Sequence, residues 1–140
     1  MNWLSYLPAF AVLLGIVVVI HELGHYWVAK WCGVKVLRFS VGFGKPILSK
    51  RYGPDQTEWA LGAFPLGGYV KMLDEREAPV TQPEQHRAFN RQSVAKRIAI
   101  VVAGPLANLL LAILLFWGLF IVGMPGAQPI LGDISKGSAA

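Results

Sequence analysis

The chain has 140 residues, of which 54% are hydrophobic and 15% charged, and its formal net charge is +5. Soluble domains carry about a quarter charged residues, so this composition excludes an ordinary soluble domain, and the length leaves room for one domain at most. Twelve of the thirteen Lys and Arg residues lie between Lys30 and Arg97, a clustering that reads as membrane topology and not as a nucleic-acid footprint.

The first element is an uncharged run, Trp3 to Ile20, that continues helically through His21-Glu22-Leu23-Gly24-His25 to about Trp31. It lacks the basic leader and the small-residue cleavage site of a signal peptide, so a retained transmembrane helix is expected over 3–31. Cys32 follows; as the single cysteine it excludes an internal disulfide and reads as a reduced thiol. After Gly33 the pattern changes. Val34–Val41 alternates β-branched and aromatic residues and reads as a strand, Gly42-Phe43-Gly44 with Lys45-Pro46 as a turn or bulge, and Arg51–Asp55 as a second turn. Thr57–Phe64 returns as a strand and Pro65–Met72 is an apolar segment broken by glycines, so 34–72 forms a small β-element close to the bilayer. Residues 73–97 are the most polar stretch and form a loop, with a surface helix expected over Gln85–Arg97. Residues 98–122 hold no charge and make a second span. Pro129–Ile134 looks like the opening of a strand.

The expected fold class is therefore a mainly α membrane protein, with two transmembrane helices joined by a cytoplasmic loop that carries a small membrane-associated β-element. The positive-inside rule puts loop 30–97 in the cytoplasm and both termini of the chain outside it. His21 then lies about 27 Å along the helix from Trp3, within the bilayer but nearer its cytoplasmic face.

Ionisable residues at the end of a lipid-spanning run are costly and mark function. His21 and His25, four apart on a helix, aim both imidazoles at one metal, and Glu22 beside the first can reach a water held there without binding the ion. Zinc suits imidazole, and hydrolysis needs no redox chemistry. Glu22 would take the proton of an attacking water and pass it to the leaving amine. A catalytic zinc takes three protein ligands; His86, Cys32 and the loop carboxylates are the remaining candidates, and none shows convincing spacing. Three polar residues at the edge of a span also fit a polar helix interface or the headgroup zone.

Taken together and in order, His21–His25, Gly42-Phe43-Gly44, Pro65–Met72 and Gly104-Pro105-Leu106-Ala107-Asn108 resemble the site-2 protease family of intramembrane zinc metalloproteases. The resemblance implies a multi-pass protein of the bacterial inner membrane that cuts single-span membrane proteins, including anti-sigma factors already trimmed by another protease. It implies Zn2+ held by His21 and His25, with Glu22 as the catalytic carboxylate. It also implies that Asn108 helps to hold the substrate or polarise its carbonyl, although an Asn at that place can equally bond between packed helices. Gly42, Phe43 and Gly44 would belong to a membrane-reentrant β-element whose edge pairs with the extended substrate. The family's third ligand is an Asp on a later transmembrane helix, in a Leu-Asp-Gly motif that these residues lack. The expectation is thus an N-terminal portion of a longer protein, inactive alone, with 127–140 as the start of a PDZ-like extracytoplasmic domain. The competing readings are a catalytically incomplete membrane fragment that only binds partners and a metal carrier using the two histidines as a transit site.

Overall fold

The computed structural model describes residue 4 and residues 6–123; the expected PDZ-like segment 127–140 lies outside them. The order is helix α1 (Tyr6–Trp31), strand β1 (Val36–Tyr52), strand β2 (Thr57–Met72), two short 3-10 turns (Gln82–Arg87 and Phe89–Arg91) and helix α2 (Val94–Val122). At about 1.5 Å per residue the helices run about 39 and 44 Å, enough to cross about 30 Å of hydrocarbon. Their apolar side chains face outward: Phe10, Val12 and Leu13 on α1 and Leu109, Leu114 and Phe120 on α2 are all exposed. A soluble protein would bury such helices, whereas lipid is a good solvent for them. Both are thus long and apolar enough to span a membrane.

Helix α1 ends in a Schellman motif. Gly33 takes φ +84°, a left-handed conformation open to glycine without strain. Its N–H donates to the Lys30 carbonyl at 3.1 Å, and the Val34 N–H donates to Ala29 at 2.9 Å. Val34 and Ala29 are both fully buried and, with Val36 and Ile100, form the core, against which Tyr26, Val70, Met72 and Phe89 pack. The cap therefore sets the direction in which the chain leaves the helix for the sheet.

Strands β1 and β2 pair antiparallel over two stretches, Val36–Phe43 with Met72–Phe64 and Pro46–Tyr52 with Gly62–Thr57. Between them, Arg38–Glu58, Phe39–Trp59, Ser40–Ala60 and Val41–Leu61 advance together, the parallel sense. The hairpin therefore crosses over itself, and the crossing lies at the glycines. A Cβ on Gly42 would stand 2.6 Å from the Phe64 carbonyl oxygen, and one on Gly62 would stand 2.6 Å from that of Phe43. Gly42 and Gly44, each at φ +87°, continue the strand through this crossing. Tyr26 of α1 meets Phe39 and Trp59 edge-on, at ring-centroid distances of 5.9 and 5.1 Å, and so seats the sheet on the helix.

The turn between the strands is held by charge. The Asp55 carboxylate, 8% exposed, accepts from Lys30 at the end of α1 and from both terminal guanidinium nitrogens of Arg87 in the first 3-10 turn, at 2.7 and 2.9 Å. Arg87, with Lys30 adding to it, holds this carboxyl well below the usual carboxylate range. Lys35 binds Glu84 in the same way.

The surface helix expected over Gln85–Arg97 is replaced as far as Arg91 by the two 3-10 turns, and only its last residues, 94–97, are helical, as the first turn of α2. Ala88 and Gln92 are extended, and the Gln92 side-chain amide donates to the His86 and Ala88 carbonyls at 2.8 and 3.2 Å, acceptors that a continuous helix would use internally. Helix α2 starts at Val94, so one helical turn precedes the uncharged span expected over 98–122, and Ser93 caps it by accepting from the Lys96 N–H at 3.4 Å.

Candidate active site

Two helices build the site between them. On α1, His21 and His25 share a face, with ring centroids 4.8 Å apart and planes at 78°. At this level α2 comes very close, because Gly24 faces Ala103 and Ala107: a Cβ on Gly24 would stand 2.5 Å from the Ala103 carbonyl oxygen. Small residues at a crossing let two backbones approach. The α2 residues facing the histidines are Ile100, Gly104 and Asn108, spaced by four like the histidines themselves.

The imidazole contacts are specific. His25 Nδ1 lies 2.7 Å from the Ile100 carbonyl oxygen. A carbonyl only accepts, so Nδ1 carries the proton and Nε2 keeps its lone pair. His21 Nδ1 lies 3.2 Å from the Asn108 side-chain amide. Both Nε2 atoms border the space above Gly104, where a Cβ would stand 2.7 Å from that of His21 and closer still to that of His25. Metal-binding histidines characteristically use the second ring nitrogen on an outer partner, and a cradle kept open by a missing Cβ leaves room for an ion. The arrangement fits zinc through His21 and His25. Among the described residues no group of three His, Cys, Asp or Glu side chains gathers to hold a metal. His86 sits in the first 3-10 turn. Cys32 is a free thiol packed against the core.

Glu22 faces the sheet. A Cβ on Gly68 would stand 3.1 Å from Glu22 Cγ and 3.2 Å from Val18 Cγ1, so β2 lies directly against α1 here. A cavity of about 310 Å³ opens at this junction, lined by Glu22 and His25 from α1, residues 68–70 and Met72 from β2, and Phe89, Ile100 and Val101. On one side the β2 stretch 68–72 pairs with β1, and no strand pairs with its other side among the described residues. A separate groove of about 380 Å³ on the sheet is lined by Lys35, Arg38, Asp55 and Glu58, side chains already ion-paired, and contains no residue of the pentad.

Asn108 thus sits against His21. Gly42, Phe43 and Gly44 lie at the strand crossing, and none of them lines the cavity beside Glu22. Phe43 stacks on Tyr69 at 6.2 Å, so they reach the cavity only through the neighbouring strand. Gly68, Ile100 and Gly104 are the residues that sequence reasoning left out of the site. The one available signal was spacing: Gly104 and Asn108 repeat the i, i+4 interval of His21 and His25.

Residues 9–138 match the model of Peptidase family M50. The chain belongs to this family. It is 49% identical over 140 residues to the Regulator of sigma-E protease RseP of Escherichia coli (strain K12), covering all of this chain and 31% of that protein. It is 51% identical over 140 residues to Protease RseP of Yersinia pestis, with 100% of this chain and 31% of the relative covered. It is also 64% identical over 117 residues to the "Putative zinc metalloprotease" of Xylella fastidiosa (strain 9a5c), covering 84% of this chain and 26% of the relative. The chain therefore spans about a third or less of the length of the curated relatives it matches. Membership of M50 makes this a member of a peptidase family, and some of the relatives it matches are named zinc metalloproteases.

Proposed function

We propose that this chain carries the N-terminal half of the catalytic core of a zinc-dependent intramembrane endopeptidase. Its substrates would be transmembrane segments of single-span proteins, such as an anti-sigma factor already trimmed by another protease. The observation that supports this reading is the convergence of His21 Nε2 and His25 Nε2 over Gly104, with Glu22 next door in a cavity walled by a strand edge. Bound between the imidazoles, zinc would supply Lewis-acid polarisation of the scissile carbonyl and of the attacking water.

The chain's own groups account for the rest. The Ile100 carbonyl holds His25 in the tautomer that leaves Nε2 free. The Glu22 carboxylate takes a proton from the water as the water oxygen bonds to the carbonyl carbon. It returns the proton to the amide nitrogen as the C–N bond breaks. The unpaired side of 68–72 can add a substrate strand, which exposes a peptide bond that a helix would shield. Asn108, and through the strand crossing Gly42, Phe43 and Gly44, complete the substrate-facing set. Two imidazoles are fewer than the three protein ligands of a catalytic zinc, so the activity is assigned to the full-length protein. In the proposed placement, which the Lys and Arg distribution supports, the protein lies in the bacterial inner membrane with 30–97 on the cytoplasmic side.

The test uses the full-length protein and a single-span reporter substrate. Glu22→Gln should keep its zinc and lose cleavage by at least about 100-fold, the usual scale of a general base. Equal cleavage by both proteins would remove Glu22 from the mechanism.

A further inference from the structure

Asn108 has one end of its amide committed and the other orphaned. Its Nδ2 position lies 3.2 Å from His21 Nδ1, and its Oδ1 position is fully buried with no hydrogen-bond partner among the described residues. The two ends of an amide are interchangeable by a half-turn about the terminal bond, so the chemistry of the neighbour decides which faces which. If Nδ2 faces the ring, it must donate. His21 Nδ1 would then be the acceptor, the ring proton would sit on Nε2, and Nε2 would have no lone pair for a metal. That Nε2 nevertheless points into the same Cβ-free space as Nε2 of His25, whose own proton is held on Nδ1 by the Ile100 carbonyl. The two rings serve one ion only if they share one tautomer.

We infer that Asn108 is a positioning residue: its side-chain oxygen accepts from His21 Nδ1–H and thereby holds the Nε2 lone pair toward the metal seat over Gly104. The inference rests on the zinc reading above. Helix α2 then does for each histidine the same thing by different means, with a backbone carbonyl at Ile100 for His25 and a side-chain oxygen two turns on for His21. The intervening Gly104 leaves the seat open. In this orientation the orphaned end of Asn108 is its NH2, a buried donor that lacks an acceptor among the described residues.

Aspartate and leucine at position 108 separate this from a merely structural role. Asp keeps an acceptor of the same reach and cannot donate when ionised, whereas Leu keeps the volume and offers neither. In the full-length protein, Asn108→Leu should lower zinc affinity by about 10- to 100-fold, the usual effect of losing an outer partner. Asn108→Asp should stay within about threefold of wild type or bind more tightly. In the metal-free state, ring 15N spectra, with the His21 resonances assigned by their loss in His21→Ala, should show the proton on Nδ1 in wild type and a shift toward Nε2 in Asn108→Leu. A wild-type His21 protonated on Nε2, an Asp variant as weak as Leu, or a Leu variant with unchanged affinity would each overturn the inference. Equal zinc binding by wild type and His25→Ala would instead sink the zinc reading, and the metal-free spectra would still decide the role of Asn108.

Discussion

At the scale of single residues, absence of a side chain is what makes the site possible. Gly104 stands where any Cβ would collide with both imidazoles, and Gly24 stands where one would collide with the α2 backbone. The two glycines make separable predictions. Gly104→Ala fills the metal seat, so zinc affinity should fall by about 10- to 100-fold, comparable to loss of a metal-site partner, while the thermal transition moves little. Gly24→Ala presses on backbone that cannot yield, and should destabilise the helix pair by about 1 to 3 kcal/mol, the usual cost of overpacking. Zinc titration beside thermal unfolding distinguishes the two, and matched losses in both assays for both variants would refute the distinction.

At the scale of elements, one carboxylate adds a charged tie to the aromatic contacts that seat the sheet over the site. Asp55 ties the β1–β2 turn to the end of α1 through Lys30 and to the 3-10 turn through Arg87. Its folded pKa is depressed below an unfolded value of about 3.9. The stabilisation is therefore complete above that value and is lost as pH falls through the folded pKa, that is, from about pH 4 downward. Asp55→Asn should remove it at neutral pH as well, at a cost of about 1 to 2 kcal/mol because both cationic partners are partly exposed. Hydrogen exchange over residues 36–72 is the measurement. Faster exchange confined to the hairpin in the variant is expected, and an unchanged pattern would mean that Tyr26, Phe39 and Trp59 alone seat the sheet.

At the scale of the whole molecule, the two helices turn their apolar surfaces outward and are long and apolar enough to cross a membrane, which fits a membrane protein. The positive charge gathered between Lys30 and Arg97 predicts the side of the membrane on which the loop lies. Single cysteines placed within 74–97, on a Cys32→Ala background, should react with an impermeant thiol reagent only after the cytoplasmic face is opened. Labelling of intact cells from outside would reverse the proposed orientation.

Much of this was legible in the chain. The two spans follow from length and lack of charge, the β-element from alternation and glycine punctuation, and the shared face of His21 and His25 from a spacing of four. All of these are local periodicities, which a linear sequence displays directly. The surface helix expected over 85–97 gives way to 3-10 turns as far as Arg91 because Gln92 bonds backward onto two carbonyls, a side-chain choice that periodicity does not register. The rest was decided only in three dimensions. Which carbonyl accepts from His25 Nδ1–H, why Gly68 and not Gly42 meets Glu22, and why Gly104 has no side chain all depend on contacts between residues tens of positions apart. The i, i+4 interval put two imidazoles on one face, and only the close crossing of α1 and α2 at Gly24 turned that face into a site.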